Sequence, residues 1–263
     1  MTPALPAASV ILLRAGQVYL VRRHAQASFM KLSYVFPGGG VDPADESTDL
    51  AAIRELFEEA GVLLCKELPD AAALRRLRDL VFAPADFATT LAAHGLHPDP
   101  SRLRLWARWV TPSVEPRRFD ATFFVAELPG GQTPEIDGRE VIEERWMTPA
   151  EALLAHEQGE IRLPPPQIRM LFELAFVGSE RDWDSALARR LDRSAWILPR
   201  LARLDGAHPA LLLPWDPEYW TAGTGEGHPL PSGHPWAWGP SRFVLERDAW
   251  RLRDAPGGGG HTR

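Results

Sequence analysis

The chain is poor in cysteine and in lysine. Its 263 residues include one cysteine, Cys65, which excludes an intrachain disulfide and a zinc site built from several cysteines. Cys65 follows an apolar run, so we expect it to be buried rather than reactive. Lysine occurs only at Lys31 and Lys66, and arginine carries nearly all of the positive charge.

A basic surface and long apolar runs are absent as well. The formal net charge of −6 argues against a protein that wraps a nucleic-acid polymer and favours a small, metal-complexed substrate. No apolar run approaches the length of a membrane span, and residues 1–16 lack the basic start and long apolar stretch of a secretory signal. We therefore expect a cytoplasmic protein without a membrane partner.

One predicted helix gathers acidic side chains. Apolar residues recur at helical spacing from Leu50 to Leu64, which predicts a helix of about four turns with one face in a core. Glu55, Glu58 and Glu59 share another face at spacings i, i+3 and i+4. Three carboxylates on one strip repel one another, so something must compensate their charge.

A divalent cation is the compensation that these residue types favour. Arg54 can pair with Glu58 at i+4, but one guanidinium cannot neutralise three carboxylates. Oxygen ligands favour Mg²⁺, Mn²⁺ or Ca²⁺ over zinc. Before the helix, the stretch PGGG at 37–40 lets backbone approach a metal or phosphate, and the helix start near Ser47 or Thr48 attracts anions. This combination predicts a metal-assisted phosphate site.

The same stretch carries a family motif. From Gly40 the sequence reads Gly, five residues, Glu46, seven residues, Arg54-Glu55-Leu56, one residue, Glu58-Glu59, one residue and Gly61-Val62. This pattern resembles a complete Nudix box, and background residue frequencies give it a chance probability on the order of 10⁻⁷ in such a chain. The resemblance implies an α/β fold, an α/β/α sandwich with a mixed β-sheet, and hydrolysis of a diphosphate linkage.

The resemblance also implies roles for residues of the box and beyond it. The metal ligands for Mg²⁺ or Mn²⁺ would be the carboxylates of Glu55, Glu58 and Glu59 and the backbone carbonyl of Gly39. Arg54 would orient the carboxylates, and Glu46 would support the loop or bind metal through water. A glutamate beyond the box often completes such a site, and Glu140 is the first choice here, before Glu144. The general base stays open between Glu55, Glu58 and Glu140.

Basic and glycine residues near the box are candidates for binding the substrate. Arg23 ends a predicted strand and Lys31 lies in the loop that follows, where both could contact phosphates. Arg117 and Arg118 could hold a phosphate, and Phe119 beside them could stack a base. Solvated charges at strand ends are the alternative. The other predicted substrate contacts are Gly38, Gly39 and Gly40.

Periodicity predicts the remaining elements. Thr148 and Pro149 are typical of the cap and first position of a helix that reaches about Gln158. Ala15-Gly16 separates the two strands of a predicted β-hairpin. Predicted strands are Ser9–Arg14, Gln17–Arg23, Leu103–Thr111, Phe119–Leu128 and part of Glu135–Trp146; predicted helices are Leu68–Phe82, Ala85–His94, Gln167–Val177 and Asp182–Leu191.

We interpret residues 1–180 as the Nudix domain, with a helical insertion at about 66–100. The insertion could cap the substrate site, enlarge the core or support a homodimer. Residues 181–256 would be a C-terminal extension packed on the same domain, with strands such as the 242–252 hairpin extending the sheet. Its many tryptophans would pack this extension, stack on a ligand or contact a second copy. Residues 257–263 are expected to be disordered.

The substrate prediction rests on a broader likeness. The ADP-ribose and dinucleoside polyphosphate groups carry a proline or a tyrosine past the box, where residues 77–80 here read LRDL, and the pattern of NADH pyrophosphatases is also missing. The helical insertion and three segments, AIRELFEEAGVLL, WARWVTPSVEPRRFDATFF and RWMTPAEAL, together resemble the Nudix branch that includes peroxisomal acyl-CoA diphosphatases and their bacterial relatives. This likeness spans most of residues 8–180. Of the longer coenzyme A signature only the FPGG end is present, and Leu32 stands where a glycine is expected.

This likeness implies cleavage of CoA or acyl-CoA to 3′,5′-ADP and a phosphopantetheine product. Hydrolysis of ADP-ribose, a nucleotide sugar or a nucleoside triphosphate is the alternative. A ligand sensor without catalysis is an alternative of another class. Such sensors usually lack one or more of the box glutamates, whereas this chain has all of them, so the enzyme interpretation is favoured.

Overall fold

The structure, a computed structural model, describes residues 2–26, 30–81, 87–180, 195–205, 208–230, 234 and 236–256. None of the helices in these ranges combines the length and hydropathy that a membrane crossing requires. The predicted helix Asp182–Leu191 and the predicted disordered tail 257–263 lie outside the described residues.

The chain opens with a tight hairpin. Strands β1 (Leu5–Arg14) and β2 (Gln17–Arg23) pair antiparallel across Ala15-Gly16, whose φ angles are 48° and 78°. Two consecutive positive φ angles are typical of the type I′ turn, whose twist matches that of the strands. The predicted hairpin is confirmed, and β1 begins earlier than expected.

The described residues form a seven-stranded mixed sheet. Its main path is β3-β2-β1-β6-β5, with β4 paired to β1 and β7 paired to β2. Leu5 N donates to Arg118 O at the start of β1 and β6, and Leu128 N donates to Leu13 O at their ends. The two strands are therefore parallel. The added strands are β3 (Tyr34–Val35), β4 (Gly38–Gly40), β5 (Arg104–Val110), β6 (Phe119–Glu127) and β7 (Val141–Met147).

Helices lie at the positions that periodicity predicts, with shifted ends. The predicted cap of the fourth helix is confirmed, since Thr148 Oγ1 accepts from Glu151 N at 3.2 Å and Glu151 Oε2 accepts from Thr148 N at 2.8 Å. The α-helices of the described residues are α1 (Thr48–Ala60), α2 (Ala71–Val81), α3 (Phe87–Ala93), α4 (Pro149–Gln158) and α5 (Pro165–Glu180).

The C-terminal strands form a sheet of their own. Strands β8 (Arg200–Leu204), β9 (His208–Leu212), β10 (Arg242–Glu246) and β11 (Ala249–Arg253) pair antiparallel in the order β11-β10-β9-β8. The prediction that they extend the mixed sheet is therefore wrong. Each strand pairs with its neighbour in sequence, so these four strands form a separate sheet instead of adding to an edge of the first sheet.

The described chain divides into two compact units. The first, called the site unit, comprises Pro6–Trp106 and Thr122–Glu151. Its core packs the apolar face of α1, including the fully buried Ile53, Leu56 and Phe57, and also contains Cys65, which is buried and free as predicted. The second, called the C-terminal unit, comprises Met1–Leu5, Ala107–Ala121 and Ala152–Arg263.

The C-terminal unit contains a fully buried arginine. The side chain of Arg169 is inaccessible to solvent, and its Nε donates to Glu173 Oε1 at 2.8 Å. Its Nη2 donates to the carbonyls of Trp236 and Trp238, and the rings of Trp215 and Trp238 flank the guanidinium. Trp236 is buried, and the half-buried Trp215 and Trp238 pack against the guanidinium, in line with the first of the three predicted roles.

Candidate active site

Helix α1 has well-defined ends. Ser47 is its N-cap, and its hydroxyl accepts a hydrogen bond from Leu50 N at 3.2 Å. Gly61 closes the other end with a φ of 65°, and its N–H donates to Phe57 O at 2.9 Å. Because the apolar face of the helix is buried, the direction of its acidic face is fixed.

The three carboxylates of α1 differ in exposure. The side chain of Glu59 is 3% exposed, whereas those of Glu55 and Glu58 are 12% and 25% exposed. Glu59 Oε2 accepts from Gly38 N at 2.8 Å. Glu59 Oε1 is buried without a hydrogen-bond partner among the described residues, and Arg23 Nη1 lies 4.0 Å away. An ionised oxygen in this position is costly unless a cation joins it.

Arg54 connects the helix to the loop before it. Its Nη1 donates to Glu55 Oε1 at 2.9 Å and to Glu58 Oε2 at 3.1 Å, the second of which is the predicted i, i+4 pair. Its Nε and Nη2 donate to the two carboxylate oxygens of Asp45, and Nη2 also donates to Gly40 O at 3.0 Å. One guanidinium thus orients two of the three carboxylates, in line with the role that the resemblance implies for it.

The glycine loop approaches the carboxylate helix closely at Gly38 and Gly39. A Cβ on Gly39 would lie 2.4 Å from Glu55 Oε2, and one on Gly38 would lie 2.3 Å from Ala8 O. A Cβ on Gly40 would have nothing within 4 Å. Gly38 and Gly39 therefore allow the backbone to approach the carboxylate helix, whereas the space around Gly40 does not demand a glycine.

The electrostatics show an excess of negative charge. Burial raises the pKa of Glu55 to about 7 and that of Glu59 to about 8. Burial also raises the pKa of Glu58, although Arg54 opposes the shift. The carboxylate of Glu140 adds to the rise at all three residues, so the structure brings this predicted residue into the field of the cluster.

The oxygen donors suit a divalent cation. Among the described residues no three His, Cys, Asp or Glu side chains converge as a ready-made metal site, and Arg54 Nη1 instead bridges Glu55 and Glu58. The excess of negative charge and the unpartnered Glu59 Oε1 are nevertheless the features that a bound cation would compensate. Hard oxygen ligands of this kind fit Mg²⁺ or Mn²⁺.

The two later glutamates have different surroundings. Glu140 has an exposed side chain, its N–H donates to Asp137 Oδ2 at 3.0 Å, and its carbonyl accepts from His24 N at 2.9 Å. Glu144, the second choice, lies on β7, and its Oε2 accepts a hydrogen bond from the hydroxyl of Tyr19. The structure thus gives Glu144 a partner within the sheet.

The predicted substrate contacts fall in both units. In the site unit, Arg23 is partly buried at the end of β2, and Lys31 is exposed in the segment between β2 and β3. In the C-terminal unit, Arg118 is 7% exposed and donates to the carbonyls of Thr2 and Thr111. Arg117 is exposed, and its guanidinium lies 5.2 Å from the centre of the Phe119 ring. Their roles in substrate binding stay predictions.

Comparison with known proteins identifies the family. Residues 47–174 match a family model described as the NUDT19 Nudix domain. The chain belongs to the Nudix hydrolase superfamily. A solved Nudix hydrolase from Alicyclobacillus acidocaldarius is 27% identical, with a TM-score of 0.58, and the match covers 66% of this chain and 92% of that one. The predicted Nudix fold with its mixed sheet is confirmed.

Curated Nudix relatives are similar over part of their length. The chain is 32% identical over 194 residues to putative nudix hydrolase 7 of Caenorhabditis elegans, a match that covers 68% of this chain and 62% of the relative. It is 33% identical over 199 residues to human acyl-coenzyme A diphosphatase NUDT19, covering 68% of this chain and 52% of the relative. The chain thus spans between half and two thirds of the length of these two relatives.

Three residues that fix α1 or the backbone at Glu140 were not predicted. Asp45 binds Arg54, while Arg78 of α2 donates to the carbonyl of Glu58 and Asp137 accepts from the N–H of Glu140. The Asp137-Gly138 pair is typical of a turn and could have indicated that role. Nothing in the local sequence distinguishes Arg78 from the other arginines of its helix.

Proposed function

We propose that this Nudix protein hydrolyses the diphosphate linkage of CoA or acyl-CoA. Water attacks one phosphorus, the bridging P–O bond breaks, and the products are 3′,5′-ADP and phosphopantetheine or its acyl derivative. Mg²⁺ or Mn²⁺ is the proposed cofactor, and a cytoplasmic location belongs to the same proposal. The observation that carries it is the gathering of Glu55, Glu58 and Glu59 on one helix, beside the backbone of Gly38 and Gly39, where a Cβ would lie against Ala8 O and the Glu55 carboxylate.

Residues of this chain would supply most of the mechanism. Glu55, Glu58, Glu59 and the carbonyl of Gly39 would hold the metal, and Arg54 would keep Glu55 and Glu58 aligned. When bound, the metal neutralises phosphate oxygens and lowers the pKa of a water molecule. Each carboxylate is fixed before substrate arrives, either by Arg54 or by the N–H of Gly38. Such preorganisation reduces the reorganisation needed in the transition state.

Glu140 is the proposed acceptor of the water proton. Its side chain is exposed, and its charge acts on all three carboxylates of α1. Its backbone is fixed by two hydrogen bonds, since its N–H donates to Asp137 and its carbonyl accepts from His24 N. Glu59, in contrast, is enclosed and bound to Gly38, which suits a ligand better than a base that must exchange protons with solvent.

The substrate assignment is supported by the relatives and by nearby cations. One curated relative bears the name acyl-coenzyme A diphosphatase. Arg23 lies beside Glu59 and Lys31 is exposed after the same strand, so both could contact the phosphates that a CoA molecule carries. The net charge of −6 leaves local cations, rather than a broadly basic surface, to attract this anionic substrate.

A product assay tests the proposal. Purified protein is incubated with CoA and acetyl-CoA in ¹⁸O-labelled water, with Mg²⁺ or Mn²⁺, and the products are identified by mass spectrometry. We expect 3′,5′-ADP and the matching phosphopantetheine product, with ¹⁸O in one of them. Glu58→Gln should lower turnover by about a hundredfold, whereas Glu160→Gln, an exposed residue of the C-terminal unit, should not change it.

Two outcomes would overturn the proposal. Cleavage of ADP-ribose or a nucleoside triphosphate with CoA left intact would refute the substrate. Failure to cleave any compound of a broad diphosphate panel would refute the enzyme and favour a ligand sensor.

A further inference from the structure

A side chain of the helical insertion reaches the end of the carboxylate helix. Arg78 lies on α2, and its Nε and Nη2 donate to Glu58 O at 3.0 and 2.6 Å. The last carbonyls of a helix lack partners within the helix, and a cation near them is favourable. The same guanidinium donates through Nη1 to Glu135 O, in the segment between β6 and β7. Arg78 therefore joins α2, α1 and this segment at one point.

The segment that Arg78 contacts is bound to the next carbonyls of α1. Glu135 N donates to Ala60 O at 2.9 Å, and Asp137 N donates to Glu59 O at 3.2 Å. Together with the bonds of Arg78, carbonyls at three consecutive residues of α1 are satisfied from outside the helix. Two of these residues, Glu58 and Glu59, carry predicted metal-binding carboxylates.

The same segment fixes the backbone at Glu140. The carboxylate of Asp137 accepts hydrogen bonds from the N–H groups of Arg139, Glu140 and Val141 at 3.1, 3.0 and 3.1 Å. Further back, the side-chain amide of Gln132 makes two hydrogen bonds of 2.9 Å with the backbone of Leu63. A continuous set of hydrogen bonds therefore connects residues 135–141, called the Glu140 loop below, to α1 and fixes them up to the start of β7.

We propose that Arg78 is a positioning residue, which fixes the Glu140 loop to the C-terminal turn of α1 and so sets the place of Glu140 beside Glu55, Glu58 and Glu59. The inference rests on the proposed function, because it assigns Glu140 a part in that reaction. It also gives the insertion a role, since α2 is the element that supplies the guanidinium. In this role the insertion supports α1 through the hydrogen bonds of Arg78.

Arg75 offers a matched control for Arg78. It lies one turn earlier on α2, and both arginines line a cavity of about 260 Å³ with Gly61, Leu74, Gln132 and Glu135. Arg75 is exposed and makes none of the three hydrogen bonds of Arg78. Replacing either residue by methionine removes one positive charge and keeps a long apolar stem, so a difference between the variants reports the hydrogen bonds.

The test combines hydrogen exchange with kinetics on the full chain. Arg78→Met, Arg78→Lys and Arg75→Met are compared with the unmodified protein after circular dichroism has confirmed folding. Exchange at the backbone amides of the Glu140 loop is followed by mass spectrometry, and kcat and KM are measured with CoA and Mn²⁺. We expect Arg78→Met to speed exchange in the loop about tenfold and to lower kcat about tenfold to a hundredfold, with KM changed less than about threefold.

The other variants sharpen the result. Arg78→Lys should be intermediate, because a single ammonium cannot reach both carbonyls with the geometry of the guanidinium. Arg75→Met should match the unmodified protein in both measurements. If Arg78→Met fails to fold, Arg78→Lys decides the question, since it keeps the charge but cannot make all three hydrogen bonds of the guanidinium. Unchanged exchange and unchanged kcat in Arg78→Lys would then contradict the proposal.

Specific results would contradict the inference. Unchanged exchange in the Glu140 loop of Arg78→Met would show that Arg78 does not fix it, and faster exchange with unchanged kcat would show that the fixing does not serve the reaction. An equal loss of kcat in Arg75→Met would show that the effect of Arg78→Met comes from the lost positive charge and not from the lost hydrogen bonds. If the unmodified protein leaves CoA intact, the proposed function fails, while exchange still decides whether Arg78 holds the loop.

Discussion

Gly38 donates its backbone N–H to the buried carboxylate of Glu59 at 2.8 Å. This bond joins the glycine turn to the carboxylate helix across a gap of 21 residues in sequence. It leaves the other oxygen, Glu59 Oε1, without a hydrogen-bond partner among the described residues. The relationship separates two functions of the side chain, since one oxygen holds the fold and the other is available to a cation.

Glu59→Gln should separate activity from stability. The amide oxygen can still accept from Gly38 N, whereas a neutral side chain removes a charge whose burial raises the pKa of this group to about 8. We expect kcat with CoA to fall by about a hundredfold or more, with no loss in the free energy of unfolding at pH 8 without metal. Urea unfolding and steady-state kinetics measure the two quantities, and an active variant would exclude Glu59 as a ligand.

Gly39→Ala and Gly40→Ala form a matched pair. A methyl group at Gly39 would push against Glu55 Oε2, while one at Gly40 meets open space. We expect Gly39→Ala to lower kcat by at least about tenfold and Gly40→Ala to stay within about threefold of the unmodified protein. A large loss in Gly40→Ala would instead support the predicted contact between substrate and this glycine.

His156 should make stability depend on pH. Burial lowers its pKa below the ordinary 6.5, Arg251 adds to the shift, and Glu157 and hydrogen bonds at Trp250 and Ile161 oppose it. Nδ1 accepts from Leu163 N, so Nε2 carries the proton and donates to Trp250 O. Below pH 6.5 the unfolded chain takes up a proton that the folded chain resists, so this group lowers stability as pH falls.

Substitution isolates this contribution. His156→Gln should lower the free energy of unfolding by about 1–3 kcal/mol at pH 7.5 and flatten the decline between pH 7 and 5. His208→Gln, at an exposed residue of the same unit, should leave both unchanged. Urea unfolding at several pH values gives the comparison, and an unaltered decline in His156→Gln would contradict the assignment.

Ala15→Asn should stabilise the first hairpin. Ala15 has a φ of 48°, a region that alanine adopts at a cost and asparagine tolerates better. The change creates Asn-Gly, the pair most typical of the type I′ turn. We expect a gain of about 0.5–1 kcal/mol in the free energy of unfolding and a loss in Ala15→Val, because a β-branched residue is strained there. A gain in both variants would refute the turn assignment.

Local patterns predicted the elements of the site. The spacing of apolar residues gave helix α1, Ser47 was one of two candidates for its start, and Glu55, Glu58 and Glu59 follow from the helical repeat. The hairpin at Ala15-Gly16 and the cap at Thr148 could also be predicted from the sequence, since each depends on residues close together in the chain.

Contacts between residues far apart in sequence could not be predicted from local patterns. Nothing near Glu59 indicates that Gly38 is its partner, and Arg78 resembles Arg75 until the helices are placed together. The separate C-terminal sheet was missed for a related reason. Strand patterns specify which residues face a core, but they do not specify which neighbouring strand completes the ladder.

Anomalous diffraction from a crystal soaked in Mn²⁺ tests the central claim most directly. The claim is that the acidic face of α1 holds divalent cations against a diphosphate. We expect an anomalous peak within coordination distance of carboxylate oxygens of Glu55, Glu58 and Glu59, and loss of that peak in Glu58→Gln. A crystal with no peak there, and with Arg54 still bound to Glu55 and Glu58 at saturating Mn²⁺, would contradict it.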